Sequence, residues 1–173
     1  MTGRQAWRES STAAQRLAEL RSATELLFDD FAAASAQRRA ASLRRLLLAL
    51  ELRWKLEEEL VIPALRGTDG EPPETLGAAD RESGLLRELA AVAKAGLLPP
   101  APLHTLMAAI EGFAALRSER IERALARAQL SSGVGALALR REIDALLERW
   151  HGEVLASGDI EDEELDPVGL PPR

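Results

Sequence analysis

The sequence predicts an all-α protein, on the evidence of its composition and of its apolar periodicity. Hydrophobic residues make up 46% of the 173 residues, but aromatic residues make up only 3%, and tyrosine is absent. Ala, Leu, Glu and Arg are abundant and β-branched residues are scarce, which favours helices over strands. Apolar residues recur at i, i+3, i+4 and i+7, the spacing of a helix with one buried face. The length suits one domain with a full core.

Two helices are predicted in the first part of the chain. Ser10-Ser11-Thr12 can cap the first, because a hydroxyl at a helix start accepts a hydrogen bond from a free backbone N–H. This helix fades near residues 35–37. Its buried stripe consists of Leu17, Leu20, Thr24, Leu27 and Phe31. The second helix runs to about Leu65, where Pro63 in its last turn and the following Gly67 predict its end.

Three further helices follow. The third is predicted from about Pro73 to Gly96, with Gly84 inside it as a sign of a kink or of a close helix contact. Residues 97–102 read as a stiff proline-rich connector to the fourth helix, and residues 131–135 as a turn before the fifth. We therefore expect an up-down-up-down four-helix bundle with an additional C-terminal helix. We predict that residues 1–156 form this bundle and that residues 157–173 form an acidic, disordered tail.

Charge and residue usage exclude several classes of function. The formal net charge is −6, and the region from Ser157 onward has a single base, Arg173. Its acidic residues are Asp159, Glu161, Asp162, Glu163, Glu164 and Asp166. Arg and Glu are evenly mixed elsewhere, so no basic face for nucleic acid is expected. No apolar run approaches the ~20 residues that span a bilayer, and cysteine is absent. We expect a cytoplasmic protein that binds neither nucleic acid nor membrane.

One segment of the second helix carries a family resemblance. The run Glu57-Glu58-Glu59-Leu60-Val61-Ile62-Pro63-Ala64-Leu65 resembles a ligand helix of the hemerythrin-like (HHE cation-binding) family. Weaker matches to the family's other three ligand helices fall, in the right order, at residues 26–31, 80–89 and 117–122. The resemblance covers roughly residues 12 to 130.

The resemblance implies a four-helix bundle that holds two irons through histidines and carboxylates. In that pattern Glu57 keeps its place as a carboxylate ligand, but Arg53 and Arg117 stand at histidine positions, and a further histidine position falls near Arg21. Ile121 takes the other carboxylate position. The third-helix histidine position falls between residues 79 and 81. The two histidines of the chain, His104 and His151, lie elsewhere, and we interpret them as surface or helix-end residues.

A guanidinium has no lone pair to offer a metal, so arginine at ligand positions disfavours iron. We predict an Arg–carboxylate network in place of the di-iron centre. Its members are Arg21, Glu25, Arg53, Glu57 and Arg117. The implied function is a non-enzymatic binding or regulatory module with no catalytic residue and no cofactor, acting on an unidentified protein partner.

Four alternatives remain open at the level of sequence. A shifted register would turn the arginines toward solvent. A cation-binding protein could hold a di-iron site through Glu57 and other carboxylates. Inward guanidinium groups could instead form an anion pocket. The segment after residue 158 could dock on a partner. Iron and zinc content is the measurement that separates the metal-binding alternative from the others.

Overall fold

The computed structural model describes residues 12–66, 73–128 and 133–157, and for residues 73–83, 133 and 155–157 it describes the backbone alone. Within these ranges the chain forms helices and turns and contains no strand. The predicted all-α class is therefore confirmed. The predicted tail at residues 158–173 lies outside the described residues, as do residues 10 and 11 of the predicted cap.

Helix α1 spans Ala13–Ala33 and begins at a complete capping box. The Thr12 side chain accepts a hydrogen bond from the Gln15 backbone N–H at 3.3 Å, and the Gln15 side chain accepts one from the Thr12 N–H at 2.6 Å. Two otherwise free N–H groups are thereby satisfied. The apolar stripe predicted for this helix is buried, from Leu17 to Phe31, and it includes Thr24.

Helix α2 has three parts: the α-helix Arg39–Leu56, a π-helical turn Glu57–Val61 and the α-helical end Ile62–Arg66. The predicted end near Leu65, with Pro63 in the last turn, is confirmed to within one residue, because the helix ends at Arg66. A proline ring clashes with the carbonyl four residues earlier, here that of Glu59, and removes one hydrogen bond. The π turn accommodates both effects: the Ile62 N–H bonds to the Glu57 carbonyl five residues back.

Helices α3 (Pro73–Lys94) and α4 (Pro100–Arg127) form the next hairpin. Gly96 between them has φ +68°, a left-handed conformation that glycine adopts without strain. The predicted connector is shorter than residues 97–102, because Pro100 and Pro102 already lie in the first turn of α4. Prolines are tolerated there, since the N–H groups of a first turn have no partner in the helix.

Helix α5 spans Gly133–Ser157 and packs against α1 and α2. Its buried stripe consists of Ala136, Leu139, Ile143, Leu146, Leu147, Trp150 and Val154. At its surface Asp144 lies 3.2 Å from Arg16 of α1, and Glu153 lies 3.2 Å from Lys55 of α2. Further contacts join α1 to α2 and α4, and α3 to α2 and α4. Among the described helices, none combines the length and the apolarity that a membrane span requires.

Candidate functional site

Three charged side chains lie in the core between α2 and α4. Arg53, Glu57 and Arg117 have exposed fractions of 5%, 2% and 1%, and they are the buried charged residues of the described part of the chain. Arg53 and Glu57 are four residues apart on α2, so both project from the helix face that also carries the buried Leu46, Ala49 and Leu50. Arg117 occupies the inward stripe of α4, between Ala114 and Ile121. The sequence thus puts all three on core-facing positions.

The carboxylate of Glu57 lies between the two guanidinium groups. Nε of Arg53 donates to Oε1 of Glu57 at 3.1 Å, and Nε of Arg117 donates to Oε2 at 2.5 Å. Each carboxylate oxygen therefore accepts a charge-assisted hydrogen bond from a different helix. This arrangement compensates the buried negative charge of Glu57 and ties α2 to α4.

A backbone carbonyl of α4 extends the cluster. Nη2 of Arg53 donates to the carbonyl oxygen of Ala114 at 3.1 Å, and the Ser118 hydroxyl donates to the same oxygen at 2.6 Å. Ser118 is itself buried, with 4% of its surface exposed. Neither of these contributions was predicted. The spacing of Ser118 from Ala114 could have indicated the hydroxyl, because Ser in a helix often bonds to the carbonyl four residues back.

The π turn of α2 begins at the central residue of the cluster. Glu57 is its first residue, and the Glu57 carbonyl accepts the i→i+5 hydrogen bond from Ile62. The wider turn lets Val61 and Ile62 both face the core, with exposed fractions of 0% and 1%. Single π turns in α-helices are frequent at functional positions. Here the turn begins at Glu57, the central residue of the cluster.

Arg21 and Glu25, the other predicted members of the network, lie outside the buried cluster. Nη1 of Arg21 lies 2.8 Å from Oε1 of Glu122 on α4, while Nε of Arg21 lies 3.6 Å from Glu25. The side chains of Arg21, Glu122 and Glu25 are 30%, 33% and 56% exposed. This position on α1 is at the edge of the helix interface rather than inside it. Arg21 therefore forms a partly solvated ion pair between α1 and α4.

His104 lies away from the cluster, at the other end of α4. Nδ1 of His104 lies 2.9 Å from the Pro100 carbonyl oxygen, and its ring packs on Phe31 with 5.0 Å between centroids. His104 is thirteen residues before Arg117 on α4, about 20 Å along the helix axis. His151 is half-buried on α5. The helix-end position predicted for His104 agrees with these surroundings, whereas His151 lies inside α5 rather than at its end.

The residues present do not fit the two irons that the family resemblance implies. Arg53 and Arg117 donate to both oxygens of Glu57, and a guanidinium cannot bind a metal. Among the described side chains, no group of three His, Cys, Asp or Glu residues is arranged to hold a metal ion. The third-helix ligand position at residues 79–81 falls where only the backbone is described. The geometry provides charge compensation and helix cross-linking.

Comparisons with known proteins do not assign the chain to a family. No protein-family model matches it, and searches of curated proteins and of solved structures found no match.

Proposed function

We propose that this chain is a diverged hemerythrin-like helical bundle in which an Arg53–Glu57–Arg117 cluster has replaced the di-iron site, and that it acts as a non-enzymatic binding or regulatory module. The observation that carries the proposal is the hydrogen bonding of the Glu57 carboxylate. Its two oxygens accept from Arg53 and Arg117 at 3.1 and 2.5 Å inside the core. Each oxygen of this carboxylate already accepts a hydrogen bond from a guanidinium, and the two positive charges beside it disfavour a metal cation.

The proposal includes an up-down-up-down arrangement of α1 to α4 with α5 as an addition. Contacts between α1 and α2, α2 and α3, α3 and α4, and α4 and α1 support it, because they close a ring of four helices. The position of the cluster also supports it. In such a bundle, cofactors are held by side chains on facing helices, and here α2 and α4 supply the cluster.

A binding or regulatory role suits a core in which the buried charged side chains hydrogen-bond to each other. Catalytic groups need access to substrate and an unsatisfied proton or lone pair. Among the described residues, the buried charged groups are instead enclosed in the bundle, and each of the three is at most 5% exposed. Such a core stabilises a scaffold, which leaves the outer helix surfaces to make any contact with a partner.

Metal content of the full-length protein tests the proposal. Iron and zinc are measured by elemental analysis on freshly purified protein, and an absorption spectrum is recorded on the same sample. We expect metal well below one ion per chain and no visible absorption band. A matched variant, Glu57→Gln, removes the carboxylate charge but keeps its shape, and it should leave the metal content unchanged.

The opposite outcome has a distinct signature. Two irons per chain in the wild type, lost in Glu57→Gln, would overturn the proposal and identify Glu57 as a ligand. Metal analysis of the purified protein distinguishes a metal-free cluster from a di-iron site, and it requires no knowledge of a partner.

A further inference from the structure

Two turns between helices lie side by side at one end of the molecule. The first turn joins α1 to α2 at residues 34–38, and the second joins α3 to α4 at residues 95–99. Phe31, near the end of α1, packs on His104, near the start of α4, with 5.0 Å between the ring centroids. This contact brings the two turns together.

The segments that contain these turns hold bases and no acids. Residues 31–50 include four arginines, and residues 89–110 include Lys94 and His104. Neither segment contains Asp or Glu, although the chain has 28 acidic residues. We call the two segments together the basic end. Its arginines are Arg38, Arg39, Arg44 and Arg45.

The basic end stays positive when the neighbouring charged residues are counted. Asp29 and Asp30 of α1, with Arg87 and Glu88 of α3, lie within about 11 Å of the turns along their helices. With these included, six bases of α1 to α4 stand against three acids. The ion pairs that join α5 to α1 and α2 are at least about 24 Å from the turns along those helices. Exposed charges beyond about 8 Å are largely screened at physiological salt, so the local positive charge dominates.

Three of the bases have no partner in the described part of the chain. Arg38, Arg44 and Lys94 are exposed, and none of them forms an ion pair or a side-chain hydrogen bond with a described residue. Arg39 is half-buried, and its Nη2 donates to the Ala34 carbonyl oxygen at 3.4 Å, which fixes it at the first turn. Bases without counter-ions keep their positive potential toward solvent and attract anions.

An exposed apolar side chain lies in the second turn. Leu97 is 85% exposed, whereas its neighbour Leu98 is half-buried and packs against the core. Pro99 and Pro100 follow and restrict the backbone, because the proline ring fixes φ. A single exposed leucine needs no explanation. Leu97, however, lies in an end that holds five Arg and Lys residues and no acid.

We propose that the basic end docks on an anionic lipid surface, with Leu97 among the lipid headgroups and the bases beside acidic headgroups. Such binding combines a small buried apolar area with electrostatic attraction, and a cluster of basic residues supplies the larger part. The sequence-based expectation of no membrane binding rested on the absence of a long apolar run and on evenly mixed charge. Surface docking needs no such run, and the charge is not mixed at this end.

The same end fits a lipid surface better than a nucleic acid. Single strands are bound by stacking of the bases on exposed aromatic side chains, but Phe31, the aromatic residue of this end, is 2% exposed. The edges of base pairs in a duplex are read by polar side chains. Residues 95–101 are Ala-Gly-Leu-Leu-Pro-Pro-Ala, so the second turn offers no polar side chain. An apolar turn beside bases matches headgroups above hydrocarbon.

Binding of the full-length protein to lipid vesicles tests the proposal. Vesicles of phosphatidylcholine with about 30% phosphatidylserine are compared with vesicles of phosphatidylcholine alone, and bound protein is separated by sedimentation. We expect binding to the first kind and none measurable to the second. The bound fraction should fall steeply between about 0.1 and 0.5 M salt, because the attraction is electrostatic and exposed.

Two charge variants locate the binding surface. Arg38→Gln and Lys94→Gln each remove an exposed base next to a turn, and each should lower the partition coefficient for the anionic vesicles about fivefold. Arg123→Gln is the matched control. It removes an equal charge from an exposed position about 35 Å along α4 from Pro100. It should change the partition coefficient by less than about twofold.

A variant of the apolar residue separates docking from general charge attraction. Leu97→Ser should lower the partition coefficient about tenfold and leave the melting temperature unchanged, because Leu97 is 85% exposed. Val134→Ser on α5 is the matched control, since Val134 is also 85% exposed. Val134 lies within about 20 Å of Ala128, which is about 42 Å along α4 from Pro100. It should leave binding unchanged.

Three outcomes would overturn the proposal. The first is no binding to the phosphatidylserine vesicles even at about 0.05 M salt, where screening is weak. The second is equal binding to both kinds of vesicle. The third is tighter binding to a DNA duplex than to the vesicles, lost in Arg38→Gln and kept in Leu97→Ser, which would assign the basic end to nucleic acid. None of these measurements depends on metal content, so their failure is distinct from failure of the proposed function.

Discussion

The buried cluster depends on one carboxylate shared by two arginines. Arg53 and Arg117 are 5% and 1% exposed, and both bond to Glu57. Moving charged groups out of water costs several kcal/mol per ion, and close opposite charges with good hydrogen bonds offset that cost. Such a cluster is therefore sensitive to the loss of any member. The shared carboxylate is the most sensitive of the three.

Glu57→Ala should destabilise the protein by about 3–5 kcal/mol, because it leaves two buried guanidinium groups without their common partner. The free energy of unfolding is measured by urea denaturation, at a protein concentration low enough to avoid self-association. Glu25→Ala is the control. Glu25 is 56% exposed and 3.6 Å from Arg21, so its removal should change stability by less than about 0.5 kcal/mol. A loss below about 1 kcal/mol for Glu57→Ala would contradict a tightly coupled cluster.

For individual residues, the sequence predicted ion pairs within one helix better than ion pairs between helices. Arg53 and Glu57 lie four residues apart, and helical geometry alone puts them side by side. Arg117 also falls on an inward position, but its contact with Glu57 spans 60 residues of sequence. Arg21 was paired with Glu25 by the same local rule. Its shorter contact is to Glu122, 101 residues away, and helix packing alone creates that contact.

The helices begin and end largely where local chemistry predicts. Gly96 and the prolines at the start of α4 mark the turn between α3 and α4. Thr12 marks the start of α1. The end of α2 at Arg66, with Pro63 in its last turn, also agrees with the prediction. Ile62 before the proline and Leu65 after it are each 1% exposed. Their burial stabilises the helix on both sides of the proline, which the π turn accommodates.

Thr12→Ala should destabilise the protein by about 1 kcal/mol, because it removes the hydroxyl that accepts from the Gln15 N–H. Urea denaturation again supplies the free energy of unfolding. Thr105→Ala in α4 is the matched control: its hydroxyl bonds to the Ala101 carbonyl, which is already within the helix. That change should be neutral or stabilising by a few tenths of a kcal/mol, since Ala is the better helix former. If both variants lost the same free energy of unfolding, the capping hydrogen bond of Thr12 would contribute nothing to stability.

Two kinds of ion pair join α4 to the rest of the molecule. The Arg117–Glu57 pair lies in the core with α2, and the Arg21–Glu122 pair lies at the edge with α1, where both side chains are about a third exposed. Solvent and salt screen the second pair but do not reach the first. The apolar core and the buried cluster should therefore determine how α4 is positioned. The outer pair should add little.

Double-mutant cycles with alanine at each pair measure this difference. We expect a coupling energy below about 1 kcal/mol for Arg21 with Glu122, falling further at about 1 M salt, where the screening length is about 3 Å. For Arg117 with Glu57 we expect more than about 1.5 kcal/mol with no dependence on salt, because the pair is desolvated and directly bonded. A buried coupling that fell with salt as the outer one does would mean that water reaches Glu57. The core around it would then be an open site and not a closed cross-link between helices.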